Sequence, residues 1–267
     1  DAFACPHATV SVELDPRGFD WGWAECLARN RVTRASLGVQ TFAPHIQHAI
    51  GRVQPVEAIA CAMGRLRAAR IESINFDLMY GLPGQFAADL EETLDIALSM
   101  RPERFAVFGY AHVPHLLPRQ RRIDATRLPG PAARFALARQ AHRHLRDAGY
   151  DPIGFDHFAV PQDAIARAAR SGTLRRNFQG FTEDQSEVLI GLGASAVSAF
   201  PGALLQNEKL AGRYHLCLAK GRLATARGIR RSPGDRRRSA IIEALLCRGE
   251  AECTGLSDLS DTRARLA

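Results

Sequence analysis

The sequence predicts an α/β fold of parallel strands joined by helical crossovers, either an α/β barrel or a doubly wound sheet. Three observations carry that prediction. Short β-branched runs recur along the chain, and each is followed by a stretch rich in Ala, Leu, Arg and Glu with helical spacing. The runs lie at intervals that suit single strand–helix units. Composition agrees: 267 residues with 46% hydrophobic content suffice for one large core or two modest ones, and 24% charged residues exclude a disordered chain.

Residues 9–14 (TVSVEL) read as the first strand and 21–30 as its helix. Residues 34–40 (RASLGVQ) form the second strand, with helical segments following up to residue 70. The third strand is 73–80 (SINFDLMY), ended by the turn Gly81-Leu82-Pro83-Gly84, and an acidic-fronted helix covers 86–100. A fourth strand is 104–111 (RFAVFGYA), the long helix 131–148 follows, and 151–158 holds a fifth strand. Beyond residue 158 the alternation fades. Residues 174–181 (LRRNFQGF) read as a basic loop with two aromatics. Residues 190–197 (IGLGASAV) are glycine-rich but lack the third glycine of a dinucleotide fingerprint. Residues 228–238 (GIRRSPGDRRR) read as a linker, 239–247 start a helix that opens a second domain, and 249–267 carry little pattern. The expected domains are 1–230 and 231–267.

Several function classes are excluded or demoted by composition. The net charge of +7 is almost all arginine, scattered along the chain with one cluster at 230–238. It reflects composition or attraction to an acidic metabolite, and no nucleic-acid partner is expected. No apolar stretch is long enough to span a membrane, since the longest, 191–205, is broken by Pro201. The first ten residues carry no export signal, so a cytoplasmic location is expected. The six cysteines, Cys5, Cys26, Cys61, Cys217, Cys247 and Cys253, show neither C-x-x-C nor zinc-finger spacing and read as small apolar residues in a reducing compartment. The pairs His45/His48 and His112/His115 read as surface or loop histidines. The chain begins at Asp1 rather than a methionine and reads as a piece of something longer.

A second pattern on the strands points to a site. Val10, Val12 and Leu14 alternate with Ser11, Glu13 and Asp15; Leu37 and Val39 with Ser36, Gly38 and Gln40; Ile74, Phe76 and Leu78 with Asn75 and Asp77. Side chains alternate faces along a strand, so three successive strands each present one small or polar face. A parallel strand buried on both sides is apolar throughout, and a closed eight-stranded barrel fills its lumen with branched apolar groups. A polar lumen therefore implies a wider or open barrel that holds a ligand. Glu13, Gln40, Asp77 and Ala111 fall near the carboxyl ends of four consecutive strands, where α/β folds bind ligands. Carboxylates accept ribose hydroxyls or pair with a cation, and a small residue lets a ring approach. Arg52, in the string GRVQP, has the fork that clamps a carboxylate.

Nine strings carry a resemblance to a known family: SVELDPR (11–17), RASLGVQTF (34–42), RVQP (52–55), INFDLMYGLPGQ (74–85), VFGYAHVP (107–114), IGFDHFAVP (153–161), RRNFQGFT (175–182), LIGLGASAVS (189–198) and QNEK (206–209). In order and spacing they resemble the oxygen-independent coproporphyrinogen III oxidases of the radical S-adenosylmethionine superfamily. The resemblance implies a partial, open parallel (β/α) barrel with the start of a C-terminal helical domain. It also implies a [4Fe–4S] cluster and two S-adenosylmethionine molecules per site. In that family a deoxyadenosyl radical abstracts hydrogen from a propionate of coproporphyrinogen III. Loss of carbon dioxide and one electron leaves a vinyl group, twice over, giving protoporphyrinogen IX. Position by position, Glu13 and Val197 match contacts to the first S-adenosylmethionine. Gln40, Arg52, Asp77 and Ala111 match contacts to the second, and Phe178 and Gln179 match a functionally important loop. An electron donor of unknown identity and a monomeric state are further expectations. A haem-binding, chaperone-like relative without oxidase activity is the rival, but such relatives are expected to lack RVQP, FGYAHVP, IGFDHFA and RRNFQGF.

The departures are as informative. The family's C-x-x-x-C-x-x-C motif and its G-G-G-T-P turn occur nowhere in the chain, and residues 248–267 do not resemble the family's continuation. The chain matches the middle of the enzyme and is expected to be inactive alone. Reconstituted anaerobically with iron and sulfide, it is expected to hold no [4Fe–4S] cluster. A visible charge-transfer band together with about four iron atoms per chain would contradict this.

Overall fold

The computed structural model describes residues 8–252, so Cys5, Cys253 and the patternless stretch 253–267 lie outside the described residues. The chain divides into two compact units at Arg167/Ala168. The boundary expected at 230/231 falls within the second of them.

The first unit is built on a six-stranded sheet. Its strands are β1 (Ser11–Leu14), β2 (Arg34–Gln40), β3 (Ser73–Tyr80), β4 (Arg104–Gly109), β5 (Asp151–Ile153) and β6 (His157–Ala159), in the order β1-β2-β3-β4-β6-β5. The first four are parallel. Helices α1 (Trp21–Arg29), α2 (Pro44–Ala49), α3 (Val56–Ala68), α4 (Ala87–Ser99) and α5 (Pro131–Asp147) connect them, and a short α6 (Ala164–Arg170) follows. Local signals set the ends. The Asp20 carboxylate accepts the Trp23 N–H at 2.9 Å to start α1, and the Asp89 carboxylate accepts the Phe86 N–H at 2.8 Å to start α4.

One face of the sheet forms the core. Leu37, Val39, Ile74, Phe76, Leu78, Phe105, Val107 and Phe158 are buried there against Leu27 of α1, Ile59 and Leu66 of α3, Leu90 and Leu94 of α4, and Leu137 and Leu145 of α5. Phe76, Phe105 and Tyr150 stack edge to face, and the Tyr150 hydroxyl donates to the Pro102 carbonyl at 2.6 Å. Burial pushes the Tyr150 phenol up to about 12.

The fifth strand differs from expectation. Residues 151–158 form not one strand but the two arms of a hairpin, and β6 runs antiparallel to both β4 and β5. Gly154, at φ 61°, turns the chain between them. At the amino end of the sheet a buried ion pair joins β4 to the segment after β6. Arg104 contacts the Asp163 carboxylate at 2.7 Å, and Ser73 Oγ and the Ile165 N–H each donate to it at 2.9 Å. Burial works against the charged form, but these donors together hold the Asp163 carboxyl below the usual carboxylate value.

The second unit contains a hairpin of β7 (Arg175–Asn177) and β8 (Gly180–Thr182) and a three-stranded antiparallel sheet of β9 (Val197–Phe200), β10 (Ala203–Asn207) and β11 (Thr225–Arg230), with α7 (Ala211–Ala219) and α8 (Pro233–Arg248). Two expected irregular stretches are thus ordered. The basic loop 174–181 is the β7–β8 hairpin, whose turn is held by Asn177 Oδ1 accepting the Gln179 N–H at 2.8 Å. The linker 228–238 is the end of β11 and the first turns of α8. Ser232 and Asp235 there form a reciprocal capping box, which the composition of GIRRSPGDRRR conceals.

Asp163→Ala leaves the Arg104 guanidinium buried without its partner and is expected to cost roughly 3–5 kcal/mol in urea denaturation. Replacing both residues by leucine is expected to cost less. Because the folded pKa of Asp163 is depressed, its contribution is present above the unfolded value of 3.8 and is lost as pH falls through the folded one.

Candidate functional site

The face of the sheet opposite the core carries the polar residues in two level rows. In the first, register places Glu13 opposite Ser36, Ser36 opposite Asn75, Asn75 opposite Arg104, and Arg104 opposite Ala159. In the second, Gly38, Asp77, Ala106 and His157 stand level across β2, β3, β4 and β6. The expected alternation of faces holds on all three strands that carry it: Ala35, Leu37 and Val39 are buried, while Ser36, Gly38 and Gln40 are only partly so.

Asp77 is the centre of this face. Ser36 Oγ donates to one carboxylate oxygen at 2.9 Å and Asn75 Nδ2 to the other at 2.7 Å, while Asn75 Nδ2 also reaches Ser36 Oγ at 2.9 Å. Burial is the largest influence and pushes the Asp77 carboxyl up, with Glu13 adding to it, against the lowering by the two hydrogen bonds and by His157. Asn75 Oδ1 is buried and has no hydrogen-bond partner. The face thus presents acceptors awaiting donors.

Gln40 and Arg52 converge over Gly38. A Cβ on Gly38 would lie 3.0 Å from an Arg52 guanidinium nitrogen and 3.1 Å from Gln40 Nε2. Gln40 itself ends β2 in the left-handed region at φ 69°, next to a register shift, a conformation that costs a non-glycine residue on the order of 1 kcal/mol. Arg52 is not a solvated surface arginine. Its Nη2 donates to the Gly38 carbonyl at 3.0 Å, its Nε to Gln54 Oε1 at 3.1 Å, and Asp15 lies 3.7 Å away. Two buried glutamines fix the segment that carries it. Gln47 donates to the carbonyls of Thr41 and Gln54 and accepts the Gln54 N–H, and Gln54 donates to the carbonyls of Gly38 and Val39.

Beyond β3, the Gly81-Leu82-Pro83-Gly84 turn is tied by Gln85, which accepts the Leu82 N–H and donates to the Met79 carbonyl, each at 3.2 Å. Ala111 follows β4 at its carboxyl end, where its carbonyl accepts from Gln120 at 3.0 Å. The remaining sequence-predicted residues lie in the second unit. Phe178 and Gln179 form the turn of the β7–β8 hairpin, and Phe178 is exposed. Val197 begins β9, and its backbone lies so close to Gly191 that a Cβ there would come within 2.6 Å. Gly191 therefore serves close packing rather than a nucleotide cradle. His157 and Ala106 were not picked out from sequence, because a single strand over 151–158 hides the antiparallel register that brings His157 level with Asp77.

Comparison with known proteins fixes the class. Residues 4–97 match the model of the radical SAM superfamily, so the chain carries a radical SAM domain. The oxygen-independent coproporphyrinogen III oxidase of Bradyrhizobium diazoefficiens is 46% identical over 263 residues, 98% of this chain and 57% of that protein. The Thermostichus vulcanus protein of the same name is 39% identical over 241 residues, 90% of this chain and 74% of its own length. The solved coproporphyrinogen III oxidase of Escherichia coli, a radical SAM enzyme, superposes with a TM-score of 0.85 at 35% identity, covering 90% of this chain and 55% of that one. The chain belongs to the oxygen-independent coproporphyrinogen III oxidase family, and its fold is the open parallel (β/α) arrangement of that family. It spans little more than half the length of several curated relatives, 57% of the Bradyrhizobium protein and 55% of the one from Paracoccus denitrificans.

Membership implies S-adenosylmethionine and a [4Fe–4S] cluster. The polar face fits the first: acceptors at Glu13, Asp77 and Asn75 Oδ1 suit ribose hydroxyls and an ammonium, and Arg52 suits a carboxylate. The described residues do not fit the second. Cys26, Cys61, Cys217 and Cys247 are free, and no three His, Cys, Asp or Glu side chains among the described residues are placed to hold a metal. No helix among them is long and apolar enough to cross a membrane.

Asp77→Asn separates folding from binding. The folded carboxyl pKa is raised, so stability is lost as pH rises from 3.8 through the folded value, and the amide removes that loss. The variant is expected to melt at a higher temperature than the parent at pH 7, yet to bind S-adenosylmethionine more weakly by roughly 1.5–3 kcal/mol in calorimetric titration.

Proposed function

We propose that this chain is the central, substrate- and S-adenosylmethionine-binding portion of an enzyme that converts two propionates of coproporphyrinogen III to vinyl groups. The observation that carries the proposal is the half-buried Asp77 carboxylate on a polar sheet face, with the buried, unpartnered Asn75 Oδ1 beside it. Glu13 and Val197 are assigned to a first S-adenosylmethionine, and Gln40, Arg52, Asp77 and Ala111 to a second. The reaction removes one hydrogen atom, one carbon dioxide and one electron from each propionate. S-adenosylmethionine, when reduced at a cluster, supplies the hydrogen abstraction.

The chain's own residues supply position and charge. Asp77, already desolvated, favours a donor that neutralises it, such as a ribose hydroxyl or an ammonium. Arg52, held by Gly38 and Gln54 through Nη2 and Nε, is assigned to a ligand carboxylate as a fixed positive charge. Gly38 keeps room for both Arg52 and Gln40. Phe178 and Gln179, on the turn of a hairpin, are assigned to substrate handling. A domain boundary at 230/231, a monomeric state, a cytoplasmic setting and an electron donor outside the chain belong to the same proposal.

The test is a chimera in which residues 8–252 replace their counterpart in the Bradyrhizobium enzyme. Anaerobic turnover of coproporphyrinogen III to protoporphyrinogen IX is expected, and Arg52→Ala in the chimera is expected to raise the KM for S-adenosylmethionine about tenfold or more. A folded, cluster-loaded chimera that binds haem but forms no product would favour the haem-binding reading.

A further inference from the structure

We propose that Arg134 and Tyr80 form a binding site for a small oxyanion, a carboxylate or a phosphate group, on the helix side of the sheet. The site is separate from the Asp77 face. Tyr80 follows Ile74, Phe76 and Leu78 at the two-residue period of β3, and Gly109 follows Phe105 and Val107 on β4. Both therefore face the helices, whereas Asp77 faces the opposite way.

Arg134 stands in the first turn of α5 and reaches the ends of both strands. A Cβ on Gly81, which follows β3 at φ 76°, would lie 3.3 Å from Arg134 Nη1. One on Gly109 would lie 3.2 Å from Arg134 Nη2 and 3.0 Å from the Tyr80 hydroxyl. The guanidinium is thus laid across two glycines. Neither it nor the Tyr80 hydroxyl has a hydrogen-bond or ion-pair partner among the described residues, and both side chains are half-buried. A half-buried guanidinium without an acceptor is an uncompensated charge, and its fork matches the paired oxygens of a carboxylate or phosphate.

The surroundings suit the same ligand. A cavity of about 90 Å³ opens beside the hydroxyl, with Tyr80, Gly109, Ala138, His142 and Asp156 in its lining. That is room for roughly three waters, or for one such head group. His142 meets Phe158 edge to face at 5.5 Å and has no hydrogen-bond partner among the described residues, so its ring offers a further donor. Asp156, the one acid in the lining, is engaged by His157 Nδ1 at 2.6 Å. No side chain caps α5, so the positive end of this 17-residue helix lies within a turn of Arg134 and adds to the attraction.

The test compares thermal melting of the 267-residue chain in sodium chloride, sodium phosphate and sodium propionate at equal ionic strength. An anion that binds the folded state raises the melting temperature with its concentration. A rise with phosphate alone assigns the site to a phosphate group, a rise with propionate alone to a carboxylate, and a rise with both to the oxygens they share. Arg134→Ala and Gly109→Ala are each expected to weaken the apparent affinity about tenfold, the second by filling the site without altering any charge. Tyr80→Phe keeps the ring packing, removes only the hydroxyl and is expected to weaken it about fivefold, so it decides the matter if alanine at 109 fails to fold. Arg139→Ala removes an exposed charge from the same helix and is expected to change nothing. The proposal is overturned if neither anion raises the melting temperature above that in chloride. A rise that persists undiminished in Arg134→Ala, or is lost equally in Arg139→Ala, is a general salt effect and overturns it too.

Discussion

Half-burying a carboxylate in a central strand of a sheet imposes conditions on the strand beside it. Asp77 needs donors, and it receives them from its own strand at Asn75 and from β2 at Ser36, which register sets opposite Asn75. Those two residues must in turn face the same side as Asp77, so the apolar partners Leu37, Ile74, Phe76 and Leu78 face the helices. The division of the sheet into a dry face and a polar face thus follows from the period of two and from one costly group. That group remains under-solvated in the absence of ligand, which links the chemistry of the face to its fold.

Much of this was legible in the sequence. Strands β2 and β3 have the bounds expected from RASLGVQ and SINFDLMY, because β-branched and aromatic residues alternate there without interruption. The same alternation picked out Glu13, Gln40 and Asp77 as site candidates before any family was considered. What remained hidden depended on turns and long-range pairing. Gly154 splits 151–158 into antiparallel arms, and nothing in the local pattern distinguishes that glycine from one inside a strand. The hairpin of β7 and β8 is three residues per arm, too short for any periodicity. The burial of Arg52 depends on partners at Gly38 and Gln54 that only the folded connection brings together.

That connection shows how a loop acquires the precision of an element. Between β2 and α3 the chain makes few backbone ladder bonds, and the amides of Gln47 and Gln54 replace them. Gln47 ties the Gln54 segment back to Thr41, Gln54 ties it to the end of β2, and together they satisfy carbonyls at Gly38, Val39, Thr41 and Gln54. Thr41 and Thr93 extend the arrangement into α4, with their hydroxyls 3.2 Å apart. The guanidinium of Arg52 is consequently placed by buried groups rather than by its own flexible stem.

The hairpin that ends the sheet has a consequence for how this architecture can grow. A βα repeat lengthens by adding strands whose carboxyl ends all open on the same side. Strand β6 reverses that polarity, and β5 reverses it again behind a turn of three residues, with no helix between them. Beyond β4 the sheet is therefore extended by a hairpin rather than by a strand–helix unit, and its outer strand β5 again runs in the direction of β1–β4. A further parallel strand on this flank could pair only with the three residues of β5, which would leave the antiparallel β6 enclosed in an otherwise parallel sheet.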